Sequence, residues 1–323
     1  MTDSVFGITA AIVGAGFASG REIMQFFSQY GVFSWILILF SAMLMAFLLF
    51  LLMKNDVRMI DMNQAAILRV LWILLYGAVS GGMTAAGGEL AALTVPFLHA
   101  RLFGMAVTLI VCLKLSQGTI RELGRLGKGL IPGMAVVFLL CMRFQKKDTL
   151  SFSFSAAAFL KAAGYCGLNA LLAAAVTAQA GKDRTIKEKR WIAILSGLIF
   201  GGLLALGNAV LMPYETELRN AALPMVLLLR GYGKAGFYLS AFVLYLAVVT
   251  TLIACLRGLQ TQLPGKRKNI WAALIVAVGA LLGFQEIVAK VYPVLGYLCL
   301  LSLLIPNFLK KAETIRDNEA LYK

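Results

Sequence analysis

Long apolar stretches alternate with short polar ones along the whole chain. A helix that spans a bilayer needs about 20 mostly apolar residues. Ten stretches fit this length to within a few residues: 4–29, 32–53, 68–98, 101–118, 124–142, 155–180, 190–212, 235–262, 270–285 and 287–309. The pattern predicts an all-α polytopic membrane protein with about ten transmembrane helices.

The composition points the same way. Apolar residues make up 60% of the 323 positions and charged residues 14%, whereas soluble domains are about 45–50% apolar and 25% charged. This excludes a water-soluble globular protein. We expect one transmembrane domain over residues 1–312 and a cytoplasmic tail over 313–323. The five cysteines lie in apolar stretches, which indicates neither a disulfide framework nor a metal cluster.

The net charge of +15 is typical of a membrane protein whose cytoplasmic loops are rich in Lys and Arg. The basic residues fall in short clusters between apolar stretches and do not form one face, so we expect no nucleic-acid partner. If the N-terminus lies inside, the cytoplasmic loops and tail hold twenty Lys and Arg residues and the opposite side holds nine. The positive-inside rule then predicts that both termini are cytoplasmic.

Ten helices divide into two halves of five, here about 4–142 and 155–309. An odd number of helices in each half requires the second half to be inverted in the membrane. Inverted repeats place the substrate near the midplane, beside helices interrupted by Gly or Pro. The first helix of each half, helices one and six, contains such glycines.

Helix one contains three glycines within seven residues, directly followed by Arg21 and Glu22. Unwound backbone at membrane depth persists only where it lines a cavity or packs against protein. The adjoining charges favour a broken helix over close GxxxG packing. The candidate substrate ligands in this segment are Gly14, Gly16, Phe17, Ser19 and Gly20. For two other GxxxG pairs, Gly77 with Gly81 and Gly197 with Gly201, we expect close helix packing.

Helix six adds Tyr165 and Asn169, which are four residues apart and share a helix face. If the helix breaks near Gly167, both face the cavity at the first break. If it does not, Asn169 is expected to make an interhelical hydrogen bond. We take Tyr165 and Asn169 as candidate substrate ligands.

Two further helices carry polar groups in apolar surroundings. Glu89 in helix three is a site candidate because intramembrane carboxylates are expensive, and it would suit a proton carrier; the alternative is a position near the outer headgroups. Arg21 is expected to pair with Glu22 or Glu89, or to attract an anionic substrate. Thr250 and Thr251 in helix eight would ordinarily bond to carbonyls of their own helix.

The chain resembles the YkvI-like membrane proteins of bacteria, a family placed in the amino acid-polyamine-organocation superfamily with a LeuT-type fold. The likeness covers nearly the whole length. The residues that carry it are Gly14-Ala15-Gly16-Phe17-Ala18-Ser19-Gly20-Arg21-Glu22 with Gln25-Phe26-Phe27, Tyr165 with Asn169, Thr250-Thr251, and Tyr292-Pro293-Val294-Leu295-Gly296-Tyr297. The first and last blocks are the most specific. The resemblance implies a bacterial plasma-membrane location.

The resemblance also implies a sodium site. LeuT-type symporters hold sodium between two helix-one carbonyls and an Ala-x-x-Thr-Ser/Thr run on helix eight. The matching positions are Ala10, Val13, Ala247, Thr250 and Thr251. Carbonyl and hydroxyl oxygens suit a hard cation. Phe17 stands where sodium-coupled amino acid carriers often place asparagine, so at most one coupling ion is implied, Na⁺ or H⁺, and no other cofactor.

The leading hypothesis is a secondary transporter that moves a small polar solute, an amino acid or related zwitterion, by alternating access. Helix amides that begin near Ser19 would hold a carboxylate, and carbonyls that end the inner half-helix would favour an amine. No catalytic set supports an enzyme. The alternative hypotheses are a ligand-sensing or receptor subunit of the same fold that does not transport, and a structural scaffold. Substrate and oligomeric state lie beyond the sequence.

Overall fold

The computed structural model describes residues 1–54, 66–95, 97–117, 120–144, 153–265 and 267–304. The helices within these ranges are α1 (Thr2–Ile12), α2 (Ala15–Ala18), α3 (Arg21–Phe26), α4 (Ser34–Lys54), α5 (Ala66–Thr94), α6 (Ala100–Leu115), α7 (Ile120–Cys141), α8 (Ala156–Leu172), α9 (Ala174–Gly181), α10 (Ile186–Leu211), α11 (Glu215–Leu218), α12 (Pro224–Leu229), α13 (Gly233–Gln262), α14 (Lys268–Leu281) and α15 (Phe284–Leu304). The predicted tail 313–323 and the end of the tenth stretch beyond residue 304 lie outside the described residues.

The fold is that of an all-α, multi-pass membrane protein. Five segments are long and apolar enough to cross a membrane: Ser34–Lys54, Arg69–Thr94, Ile186–Leu218, Pro224–Gln262 and Phe284–Leu304. Shorter apolar helices such as Thr2–Ile12 and Ala156–Leu172 accompany them. Each of the ten predicted stretches contains helix in the described part of the chain.

Helix α4 is an outer helix of the bundle. It is apolar on every side, and its outward side exposes Trp35, Leu39, Met43 and Phe47 at helical spacing. In water such a face would be unfavourable, but acyl chains cover it without cost. By contrast, α5 and α13 are mostly buried and pack against each other in the centre.

Glycines bring several helices into close contact. A Cβ on Gly197 would lie 2.8 Å from the Ala42 carbonyl oxygen of α4, and one on Gly81 would lie 2.7 Å from the backbone of Gly279 in α14. The expectation that the GxxxG pairs of α5 and α10 serve close packing is therefore confirmed.

A buried polar network fixes the chain that leaves α3. The Ser28 hydroxyl donates to Asn208 Oδ1 at 2.9 Å, and Asn208 Nδ2 donates to Ser34 Oγ at 2.8 Å. Ser34 in turn donates to the Gly31 carbonyl at 2.6 Å. Because every group finds a partner, the turn between α3 and α4 is held firmly against α10.

Candidate functional site

The first transmembrane segment is interrupted twice. The first interruption is a tight turn at Val13, whose φ and ψ of −85° and 87° allow Gly14 N to donate to Ile12 O at 3.1 Å. This is an inverse γ-turn. In a continuous helix Gly14 N would bond Ala10 O. The next helical bond runs from Ala18 N to Gly14 O, so the carbonyls of Ala10 and Val13 lie outside both helical ladders.

The second interruption lies one helical turn later, at Ser19 and Gly20. Gly20 has a φ of +81°, which glycine adopts without strain. A Cβ there would also lie 2.7 Å from Leu211 Cδ1. Ser19 closes the turn: its hydroxyl donates to Gly16 O at 2.9 Å and accepts from Arg21 N at 3.2 Å. The Ser19 carbonyl accepts from Met225 N at 2.9 Å, which ties α12 to the break.

Glu22, which sequence reasoning did not select as a site residue, lies at the centre of this region. Its side chain folds back against Gly16, where a Cβ would lie 2.5 Å from Glu22 Cδ. Glu22 Oε2 accepts a hydrogen bond of 2.8 Å from the Tyr165 hydroxyl of α8. Only 3% of Glu22 is exposed. The sequence did contain a signal for this residue: Glu22 is a carboxylate in an apolar segment, six residues after Gly16.

Aromatic rings surround the Tyr165 end of this contact. Tyr165 stacks on Phe26 at 4.8 Å between ring centroids, meets Phe27 edge-on at 5.6 Å, and lies 6.2 Å from Phe200. Phe17 is fully buried and lies 6.0 Å from Phe200. The predicted ligands Phe17 and Tyr165 are thus brought into one aromatic cluster directly beside the break.

Helix α8 does not break near Gly167. It continues to Leu172, and the interruption falls at Ala173. Asn169 Nδ2 donates to Tyr165 O at 3.0 Å within the same helix, so the expected interhelical hydrogen bond of this amide group is not formed. The reason is packing: a Cβ on Gly167 would lie 2.8 Å from Leu300 N of α15. This glycine gives room to a neighbouring helix and does not unwind its own.

The two threonines of α13 have different surroundings. Thr250 Oγ1 donates to Leu246 O at 2.9 Å and to Ala247 O at 3.1 Å, as expected for a helix-bonded hydroxyl. Thr251 Oγ1 is buried and has no hydrogen-bond partner among the described residues. It lies 3.3 Å from the Cβ position of Gly14. Of the two hydroxyls, Thr251 is the one left available beside the first interruption.

Glu89 and Arg21 each contact partners outside the candidate site. Glu89 forms an ion pair of 2.5 Å with Arg101 of α6, and 24% of its side chain is exposed; this fits the alternative position near a membrane surface. Arg21 pairs with neither Glu22 nor Glu89. Its guanidinium donates to the carbonyls of Arg219 and Ala221, the latter at 3.4 Å. Neighbouring residues on a helix point in different directions, so Arg21 and Glu22 diverge.

The fold and site define a multi-pass α-helical membrane protein with an interrupted first helix and a buried acid beside it. No family model matches the chain. It is 26% identical to YyaD of Bacillus subtilis (strain 168), over 93% of this chain and 95% of that protein. It is 24% identical to the membrane protein YkvI of the same organism, over 91% and 92%. The resemblance to YkvI-like proteins is therefore confirmed.

Among solved structures, the chain is similar to a manganese transporter of Eremococcus coleocola, crystallised with an aromatic bis-isothiourea compound. The TM-score is 0.47 and the identity 17%, with 99% of this chain and 73% of that chain covered.

Proposed function

We propose that the protein is a secondary transporter for a small polar solute, an amino acid or related zwitterion, with the binding region at the interruptions of its first helix. The observation that carries the proposal is the pair of breaks at Val13 and Ser19, which leaves backbone oxygens outside the helical ladders in the interior of a membrane protein. Such backbone is expensive in hydrocarbon and is tolerated where it packs against protein or lines a cavity. In transporters, broken helices of this kind bind ions and solutes.

The arrangement around the first break supports a coupling cation. The carbonyls released at Ala10 and Val13 and the unpartnered hydroxyl of Thr251 come from two elements that pack against each other, α13 and the first segment. Oxygen ligands of this kind suit Na⁺. In this proposal Thr251 is a direct ligand. Thr250 and Ala247, which bond each other, contribute less.

A ten-helix arrangement in two inverted halves, 4–142 and 155–309, is part of the proposal. Its support is that the first segment of each half is interrupted, at Val13 and at Ala173. Alternating access would follow if one half rocks against the other about these interruptions. Both termini would lie on the cytoplasmic side of the bacterial plasma membrane.

The experiment is a thermal-shift screen of the purified, detergent-solubilised protein against amino acids, amines and small carboxylates, each in sodium and in potassium buffer. A ligand at 100 times its Kd stabilises the native state by about 2.7 kcal/mol. We expect a hit whose shift requires sodium, is lost in Thr251→Val and is kept in Thr250→Val. The two substitutions are matched in size and position, but only one removes an unpartnered hydroxyl.

Uptake into liposomes then separates the candidate functions. Sodium-driven accumulation of the hit compound supports a transporter. Binding without accumulation would favour a ligand-sensing subunit. A sodium response that is unchanged in Thr251→Val would overturn the ion assignment.

A further inference from the structure

The Glu22 carboxyl occupies a closed compartment between α2, α3 and α8. Gly16 forms one wall, because its missing side chain leaves the space that Glu22 fills. The Tyr165 hydroxyl of α8 donates a hydrogen bond of 2.8 Å to Glu22 Oε2. Phe26 and Phe27 pack around the Tyr165 ring. Among the described residues, the Tyr165 hydroxyl is therefore the one hydrogen-bond partner of the Glu22 carboxyl.

No cation balances this carboxyl in the described part of the chain. From its own helix, Arg21 points away to two carbonyls and interacts electrostatically with Glu286. The groups that face Glu22 from α8 and α15 are the phenols of Tyr165 and Tyr292. The side of α10 that packs here carries Phe200, which does not titrate, and α2 carries no titratable side chain.

An ionised carboxylate is costly in such a place. Burial of a charge without a partner costs several kcal/mol, and one hydroxyl donor offsets only part of that cost. Either a bound cation or a proton could neutralise the charge of the buried carboxylate. A metal ion or an ammonium group would need several oxygen ligands around it, whereas the described side chains that face Glu22 offer two phenols and no second carboxylate. A proton needs no further room.

We propose that Glu22 is a proton-binding residue and that its proton occupancy controls the Tyr165 contact between α3 and α8. Protonation forms an O–H bond on the carboxylate with a proton that hydronium in the surrounding solution gives up, leaving water, and the charge of the carboxyl group changes from −1 to 0. The ionised form accepts a charge-assisted hydrogen bond from Tyr165, which is about twice as strong as a neutral one. Protonation weakens that bond and loosens α3 from α8.

This inference deepens the proposed transport function by adding a proton site at the second interruption, distinct from the cation ligands at the first. It replaces Glu89, which is paired with Arg101, as the carboxyl that exchanges protons. Glu22 was hidden from sequence reasoning because Arg21 beside it offered an obvious partner.

The test is infrared difference spectroscopy of the full-length protein in detergent, between acidic and alkaline buffer. A buried carboxylic acid has a C=O band separate from those of the backbone and of ionised carboxylates. We expect a pH-dependent band that is lost in Glu22→Gln, shifted in frequency in Tyr165→Phe because one hydrogen bond is removed, and unchanged in Glu89→Gln. The last variant is the matched control, since it is the same substitution on another membrane-helix acid.

Several results would overturn the proposal. A spectrum unchanged in Glu22→Gln would show that this carboxyl does not exchange a proton, and a band lost in Glu89→Gln would move the site to α5. If Glu22→Gln does not fold, an unshifted band in Tyr165→Phe contradicts the proposal equally. None of these measurements needs transport, so a failed uptake assay with a confirmed Glu22 band would reject the transport function alone.

Discussion

The contact between α8 and α15 offers a sharp quantitative test of the packing. At Gly296 a Cβ would lie 2.5 Å from Gly164 O and 2.7 Å from Gly164 C. Carbon atoms at rest in a protein interior lie about 3.5–4.0 Å apart. Both obstructing atoms are backbone, so no side-chain rotation can relieve the overlap. Gly296→Ala must therefore push the two helices apart by about 1 Å.

The expected cost follows from that displacement. Overpacking of a well-packed interior costs about 1–3 kcal/mol, so we expect Gly296→Ala to lower the apparent Tm in detergent by at least about 2 °C. Gly202→Ala on α10 is the control, because a Cβ there meets nothing within 4 Å. It should leave the Tm unchanged or raise it slightly. Gly164→Ala should fall between the two, since its Cβ meets the Tyr297 ring at 3.0 Å, a side chain that can move.

The assay is a thermal scan of the three variants and the parent protein at one heating rate, because unfolding of membrane proteins is often irreversible. Equal Tm values for Gly296→Ala and Gly202→Ala would refute the reasoning. So would a larger loss in Gly164→Ala than in Gly296→Ala, since it would mean that the ring and not the backbone limits the approach.

The remaining predictions concern orientation and one helix cap. Cysteines placed at the exposed positions Lys187 and Lys234 should react with a membrane-impermeant reagent from opposite sides of the membrane; labelling from one side would reject the two-halves arrangement. Hydrogen bonds from the Thr185 amide and hydroxyl lower the pKa of Glu188 at the start of α10. A carboxyl group whose pKa is lowered on folding stabilises the folded protein at pH values above its unfolded-state pKa. This contribution to stability is lost as the pH falls through the folded-state pKa. Glu188→Ala should therefore lower the Tm at neutral pH, with a deficit that shrinks below about pH 4; a deficit that does not change with pH would refute the cap.

Local chemistry made the interruption at residues 13–20 predictable. Three glycines in seven residues, followed by two charges, are incompatible with an ordinary helix in lipid. The same reasoning from glycines placed a possible break of α8 near Gly167, whereas the structure has the interruption at Ala173. Gly164 and Gly167 there serve contacts with Gly296 and Leu300, more than 130 positions later in the chain. A glycine indicates that space is needed, but only its spatial neighbours decide whether the backbone or another helix uses it.

The buried acid was hidden for a related reason. Two adjacent opposite charges invite pairing, yet residues at i and i+1 of a helix do not face each other. Arg21 follows one direction to the carbonyls of Arg219 and Ala221, and Glu22 follows the other to Tyr165. All three partners lie more than 140 positions away along the chain, so the spacing of neighbouring residues could not predict these contacts.

The short helix α2 connects the two proposed cation sites. Thr251 approaches the backbone at Gly14, the residue before α2, and Glu22 approaches it at Gly16, the second residue of α2. Because four residues cannot bend independently of their ends, a shift of α2 toward α13 would change the contact at Glu22 as well. We infer that occupancy of one site alters the affinity of the other, since coupling between sites requires a shared element whose position both ligands bias. Sodium should therefore displace the pH at which the Glu22 infrared band titrates, and Thr251→Val should remove that displacement while the band itself remains.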